Sequence, residues 1–192
     1  MEVSFQDVSL AFGEKVLFSH FTKTFTFSGV TALMGPSGSG KTTFFRLLCG
    51  LQKPDSGAVL GIPKTFTVLF QEDRLLPWVD ALTNVALVSD TETAKACLNK
   101  VGLSNDMHNF PANLSGGMCR RVAIARALAH KSEILLLDEP LKGLDEELRA
   151  QMLHLVKTEG ETRPVLFITH DEREVEALGA EVLSVNGMPI KM

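Results

Sequence analysis

Apolar residues alternate with polar ones through the first 27 positions. Val3 and Phe5 are followed by Val8, Leu10 and Phe12, then by Phe21, Lys23, Phe25 and Phe27 in the same rhythm. A period of two turns one face of a strand toward a core, so this region reads as β structure, broken by turns at Gly13-Glu14 and Ser28-Gly29. Val30-Thr31-Ala32-Leu33-Met34 is a short apolar run and predicts a buried strand; Thr43 to Cys49 predicts the first turns of a helix. Lys53-Pro54-Asp55-Ser56-Gly57 is a turn signal, and Thr65 to Phe70 a further strand. Residues 76–130 are helix-rich. There Ala94, Cys97, Leu98 and Val101 form one helical stripe, closed by Gly102. Ile134-Leu135-Leu136-Leu137 is apolar on every position, as a central parallel strand requires. Leu148, Met152, Leu155 and Val156 mark another amphipathic helix, Val165 to Ile168 a second buried strand, and Asn186-Gly187 a hairpin. The alternation predicts an α/β fold with a mostly parallel sheet, an N-terminal antiparallel β region and an inserted helical region.

Composition narrows the setting. A chain of 192 residues builds one domain with a proper core. A net charge of −4 and a pI near 5.7 speak against nucleic acid as the main partner, since a phosphate backbone calls for a basic face. Cys49, Cys97 and Cys119 are scattered without metal-binding or redox spacing and read as small hydrophobes in a reducing compartment. The N-terminus lacks the basic-then-apolar pattern of a secretion signal, and no apolar run approaches the ~18 residues of a membrane span. Mean hydropathy is +0.13, slightly apolar, which permits a docking surface.

Chemistry enters with Gly35-Pro36-Ser37-Gly38-Ser39-Gly40-Lys41-Thr42, a complete G-x-x-x-x-G-K-[ST] loop between the predicted strand and helix. The glycines let backbone N–H groups converge on phosphate oxygens, Lys41 adds a point charge, and the Thr42 hydroxyl suits Mg²⁺. The helix N-terminus behind the loop favours an anion. A second motif, Ile134 to Glu139, ends a buried strand in two carboxylates. Ligands bind at the carboxyl ends of strands in open α/β sheets, so both acids are expected beside the phosphates. Asp138 is placed to bind Mg²⁺, and Glu139 to polarise an attacking water. A third motif, Leu114-Ser115-Gly116-Gly117-Met118, opens a helical run. It offers a second helix start suited to an anion, beyond a simple Ser-Gly cap.

Together these motifs resemble the nucleotide-binding subunits of ATP-binding-cassette (ABC) transporters, from Val3 to about Val185. Gly35 to Thr43 resembles Walker A, Ile134 to Glu139 Walker B, and Leu114 to Gly117 the family signature. The resemblance implies a P-loop NTPase core, a single ABC ATPase domain over residues 1–192, a core lobe of about 1–75 and 130–192, and a helical lobe of about 76–129. It further implies that Gln71 is the Q-loop glutamine, serving Mg²⁺ and water, that His170 is the switch histidine, and that Asp145 is the D-loop aspartate. Phe12 falls near the adenine-stacking aromatic of the family; a strand phenylalanine is more often core, and that reading stays open. Trp78 would fill the space between lobes. The implied activity is ATP hydrolysis with Mg²⁺, in a homodimer closed head to tail around two ATP molecules. Lys41, Gln71, Glu139 and His170 would act on the phosphates of their own chain, and Ser115, Gly116 and Gly117 on those of the partner chain.

Phe70-Gln71-Glu72-Asp73-Arg74-Leu75-Leu76-Pro77-Trp78 is similar to the Q-loop of importer ATPases for nitrate, sulfonate, taurine and related small solutes. That group implies a permease, indirectly an extracytoplasmic solute-binding protein, and a place on the cytoplasmic face of the cell membrane. By comparison with some sugar-importer ATPases, no added regulatory domain is expected after the Asn186-Gly187 hairpin. Three positions depart from the family pattern: Met118 replaces the signature glutamine, Lys142 the serine that opens the D-loop, and Phe12 the commoner tyrosine. The alternative is a soluble ABC ATPase of DNA repair or ribosomes. Those carry tandem cassettes or a coiled-coil insert, whereas an ordinary helical lobe separates Lys41 from Ser115. A P-loop kinase would leave the signature unexplained.

Overall fold

A computed structural model describes residues 1–186 and 189–190; Gly187 of the expected hairpin lies outside them. The elements run β1 (Glu2–Phe12), β2 (Lys15–Thr26), β3 (Val30–Met34), α1 (Lys41–Leu48), β4 (Ser56–Leu60), β5 (Phe66–Leu69), α2 (Ala81–Ala86), α3 (Thr91–Lys100), α4 (Gly116–Ala129), β6 (Ile134–Asp138), α5 (Glu146–Gly160), β7 (Val165–Ile168), α6 (Glu172–Leu178) and β8 (Glu181–Ser184). They build an antiparallel sheet ordered β2-β1-β4 and a parallel sheet ordered β5-β6-β7-β3-β8.

The N-terminal alternation changes phase once, between Phe5 and Val8, yet all four of Val3, Phe5, Val8 and Leu10 are buried. A bulge at Asp7, with φ 52°, absorbs the extra residue. The same bulge explains β4, which the turn signal at 53–57 concealed. Gly57 sits in that strand with φ 80°, where a Cβ would collide with the Asp7 carbonyl. A glycine in a strand marks close backbone approach as readily as a turn.

The parallel sheet has a core on each face, which is why β6 reads as apolar at every position. Ile134 and Leu136 face the antiparallel sheet and α1; Leu135 and Leu137 face the helices α4, α5 and α6. Phe5 stacks on Phe44 with ring centroids 5.3 Å apart, and Phe25 meets Phe44 edge-on at 5.2 Å. These contacts fix α1, and with it the loop before it, to the antiparallel sheet. Ala94, Cys97, Leu98 and Val101 are buried as their stripe predicts, with Gly102 at φ 71° ending α3. Burial pushes the Cys49 thiol up to about 12, so it is inert; Cys119 is only half-buried. Among the described residues no helix is long and apolar enough to cross a membrane.

Candidate nucleotide site

Five of the six α-helices among the described residues begin on a side chain that accepts a backbone N–H: Asp80, Asp90, Ser115, Asp145 and Asp171. Helix α1 begins instead on Gly40, with φ 96° and no side-chain cap. Its first N–H groups are therefore left for an external acceptor, which is what an anion site at a helix N-terminus needs. The loop ahead of it is closed by its own lysine. Lys41 Nζ donates to the carbonyls of Gly35 at 2.7 Å and Pro36 at 2.9 Å. Gly35 has φ 149°, and a Cβ there would collide with the Val185 carbonyl. At Gly40 a Cβ would lie 2.7 Å from Ile190 Cδ1. Ser39 is buried, and its Oγ has no hydrogen-bond partner among the described residues. Beside the loop, Phe12, Lys15 and Leu17 line a cavity of about 350 Å³ with Gly38 and Gly40 to Thr43. Phe12 is 51% exposed, so it is not core.

Sheet order gathers the remaining groups. Gln71, Glu139 and His170 follow the carboxyl ends of the adjacent strands β5, β6 and β7, and the loop of β3 comes next. Gln71 Nε2 donates to Glu139 Oε2 at 3.2 Å, and His170 Nδ1 lies 3.6 Å from Glu139 Oε1. Lys142, one of the three departures, reaches the same carboxylate, with Nζ 3.8 Å from Oε2. Glu139 has φ 44°, a left-handed backbone that costs a non-glycine residue about 1–3 kcal/mol and persists only where the surroundings enforce it. Next to it, burial raises the Asp138 pKa, and the neighbouring Glu139 raises it further; Lys41 and Arg120 pull it back.

Arg120 is what sequence reasoning missed. It stands on α4, is 4% exposed, and donates to carbonyls of both Phe70-Gln71 and Asp138-Glu139-Pro140, with Asp73 as its counter-charge. Arg126 on the same helix donates to the carbonyls of Asp73 and Arg74. The available signal was position: Arg120 falls on the helical stripe of Ala123, Ile124 and Ala127, where a cation has no apolar reason to be.

The signature residues are not brought to the phosphate loop of their own chain. The Ser115 hydroxyl caps α4 by accepting from Met118 N at 3.2 Å. A Cβ at Gly116 would meet nothing within 4 Å, and one at Gly117 only Leu144 and Gly143, at 3.7 and 3.8 Å. Packing within the chain thus requires neither glycine. Asp145 caps α5 through Leu148 N at 3.0 Å. Trp78 is 71% exposed and does not fill a core between lobes.

The sheet, the uncapped helix and the carboxylates at the strand ends define a P-loop NTPase fold. The ABC transporter family matches residues 19–142, and the chain belongs to that family. It is 42% identical over 190 residues to aliphatic sulfonates import ATP-binding protein SsuB 3 of Rhodococcus jostii, covering 95% of the chain and 70% of the relative. It is 39% identical over 193 residues to SsuB 1 of Paraburkholderia xenovorans, covering 95% of the chain and 57% of the relative. The chain thus spans little more than half the length of some relatives it matches. Among solved structures, the dimeric post-hydrolysis state of the ATP-binding cassette MJ0796 bound to ADP and Pi superposes with a TM-score of 0.80 at 28% identity, over 95% of this chain and 93% of that one.

Proposed function

We propose that the chain is the ATP-binding and ATP-hydrolysing subunit of an ABC importer for a small solute of the sulfonate, nitrate or taurine type. The observation that carries this reading is the convergence of Gln71 and His170 on Glu139, two strands away from an uncapped helix start. Residues 1–75 and 130–192 act as the core lobe and 76–129 as the helical lobe. Gly35 to Thr43 cradle the phosphates through backbone N–H groups, and Lys41 turns from its loop carbonyls to the outer phosphates. Phe12 supports the base. Glu139 accepts the proton of the attacking water, while Gln71 and His170 orient that carboxylate and the outgoing phosphate.

The oxygens of Thr42, Asp138 and Gln71 suit a hard cation such as Mg²⁺. Among the described residues no cluster of three His, Cys, Asp or Glu side chains is present to hold a metal unaided, so the remaining ligands must be phosphate and water. When bound, Mg²⁺ would neutralise charge developing on the phosphates. Ser115, Gly116 and Gly117, the glycines not required by packing within their own chain, would meet the phosphates held by a second copy, with Asp145 beside that seam. The homodimer would then close with ATP and open after hydrolysis, working a permease at the cytoplasmic face that receives solute from an extracytoplasmic binding protein. Import relatives favour this reading over a soluble ABC ATPase of DNA repair or ribosomes. The test is capture of the tagged chain from detergent-solubilised membranes with phosphate release measured on the product. Mg²⁺-dependent turnover and a co-purified integral membrane protein are expected; turnover without any membrane partner would point to the soluble class.

A further inference from the structure

We infer that Arg120 is a positioning residue that holds Glu139 and Gln71 as one rigid unit with helix α4. A guanidinium carries five N–H donors in a planar fork. Here Nε donates to the Pro140 carbonyl at 2.8 Å, and Nη2 to the carbonyls of Asp138 at 3.1 Å and Glu139 at 2.8 Å. Nη1 donates to the carbonyls of Phe70 at 2.8 Å and Gln71 at 3.2 Å, and to Asp73 Oδ1 at 3.0 Å. Every donor is used, and the two segments it joins are those that bear the Gln71 and Glu139 side chains.

The need for such a clamp follows from where the strands end. The register of β6 with β7 closes at Asp138 opposite Ile168, so the carbonyls from Asp138 to Pro140 run past the ladder. The turn's own backbone offers them few partners: Lys142 N reaches the Glu139 carbonyl at 3.4 Å as the chain passes through φ 44° there. Arg120 supplies the rest, and so enforces the left-handed turn that aims the Glu139 carboxylate at Gln71. A lysine offers three donors on a single nitrogen and cannot span both segments in this way. An apolar residue would suit the buried stripe of α4 better for stability alone, since a buried charge is costly to desolvate. Helix α4 also begins at the signature residues, so a displacement of that helix moves both catalytic side chains together.

The inference rests on the ATPase reading for its kinetic consequence but not for its structural one. Two variants, Arg120→Gln and Arg120→Lys, are compared with wild type in ATP turnover and in amide hydrogen exchange of the nucleotide-free protein. Arg120→Gln is expected to lower kcat by about 10²-fold, the effect of misplacing a reacting group by about 1 Å. KM for ATP should stay within about twofold, because Arg120 touches no residue of the phosphate loop. Exchange should rise in residues 70–74 and 138–142 and stay unchanged in 35–48. Arg120→Lys should fall between wild type and Arg120→Gln in kcat. Wild-type kcat in Arg120→Gln or in Arg120→Lys would overturn the inference, as would exchange that rises across the whole chain or in neither segment. If wild type hydrolyses no ATP, the ATPase reading fails, and the exchange pattern alone decides the role of Arg120.

Discussion

Gln71 and Glu139 share a hydrogen bond of 3.2 Å although 68 positions separate them in the chain. The sheet closes that distance. Leu69 and Leu137 are register partners in the parallel pairing of β5 and β6, and each functional residue lies two positions beyond its partner. The contact is therefore a continuation of strand register past the end of the ladder. On β7 the register pairs Asp138 with Ile168, so Thr169 falls opposite Glu139 and His170, one residue further on, reaches the same carboxylate out of step by one.

Glu139→Gln keeps the size and the Gln71 contact of this side chain but removes the proton acceptor. It is expected to lower kcat by about 10²–10⁴-fold, the usual worth of a general base. ATP affinity should be kept, since Glu139 lies outside the phosphate loop. Measuring turnover and ATP binding on the same preparation separates the two. Retained turnover would remove Glu139 from the chemistry.

Asp138 gives the pH dependence. Its carboxyl has a raised pKa in the folded protein, chiefly through burial and next through Glu139. Folding therefore favours the protonated acid. That contribution is complete below the unfolded value of about 3.9 and is lost as pH rises through the folded value. At neutral pH the ionised group is a cost, and Asp138→Asn removes it. The thermal midpoint of Asp138→Asn is expected above wild type at pH 7.5, with the gap narrowing toward pH 4, while Mg²⁺-dependent turnover is lost. A midpoint below wild type at pH 7.5 would contradict the assignment.

Gln71 and His170 were legible through the family resemblance and because each follows a predicted strand directly, β7 apolar at every position and β5 broken only by Thr67. Strand β4 was not, because Gly57 serves a bulge 50 residues upstream at Asp7, and a glycine in isolation looks like a turn. Arg120 was not, because its six partners are mostly backbone carbonyls, which no side-chain pattern advertises. Lys142 was visible as a departure, but its approach to Glu139 depends on the turn geometry between them.

Lys142 is 65% exposed and pairs with Glu139 at 3.8 Å. An exposed pair of this kind contributes about 0–1 kcal/mol, screened by salt. Lys142→Ser, which restores the family residue, is therefore expected to change kcat by no more than about fivefold, and less at high ionic strength. A steady-state rate that falls about 10²-fold would instead make Lys142 a participant in the chemistry.

Asn84 fixes the segment that carries Trp78. It is fully buried; Oδ1 accepts from Leu76 N at 2.8 Å, and Nδ2 donates to the carbonyls of Leu76, Val79 and Asp80 at 3.1, 3.2 and 3.1 Å. Asn84→Ala strands several of these groups and is expected to cost about 2–3 kcal/mol in urea unfolding. As Trp78 is the sole tryptophan, its fluorescence should become more quenchable in the native state of the variant. Unchanged stability and quenching would show that water replaces the lost bonds.

Phe12 separates two readings of a strand phenylalanine. Were it core, Phe12→Ala would cost about 3–5 kcal/mol of stability. At 51% exposure, on the rim of the cavity beside Gly40 to Thr43, it has little burial to lose. If it stacks on a base, the loss falls on binding: aromatic pairs contribute about 0.5–1.5 kcal/mol beyond area, or roughly two- to twelvefold in affinity. Such a contact acts equally on bound substrate and transition state, so kcat at saturating ATP should not change. Phe12→Tyr should bind like wild type, because the ring is kept. Calorimetric titration with ATP checks both variants, and unchanged affinity in Phe12→Ala would place the base elsewhere in the cavity.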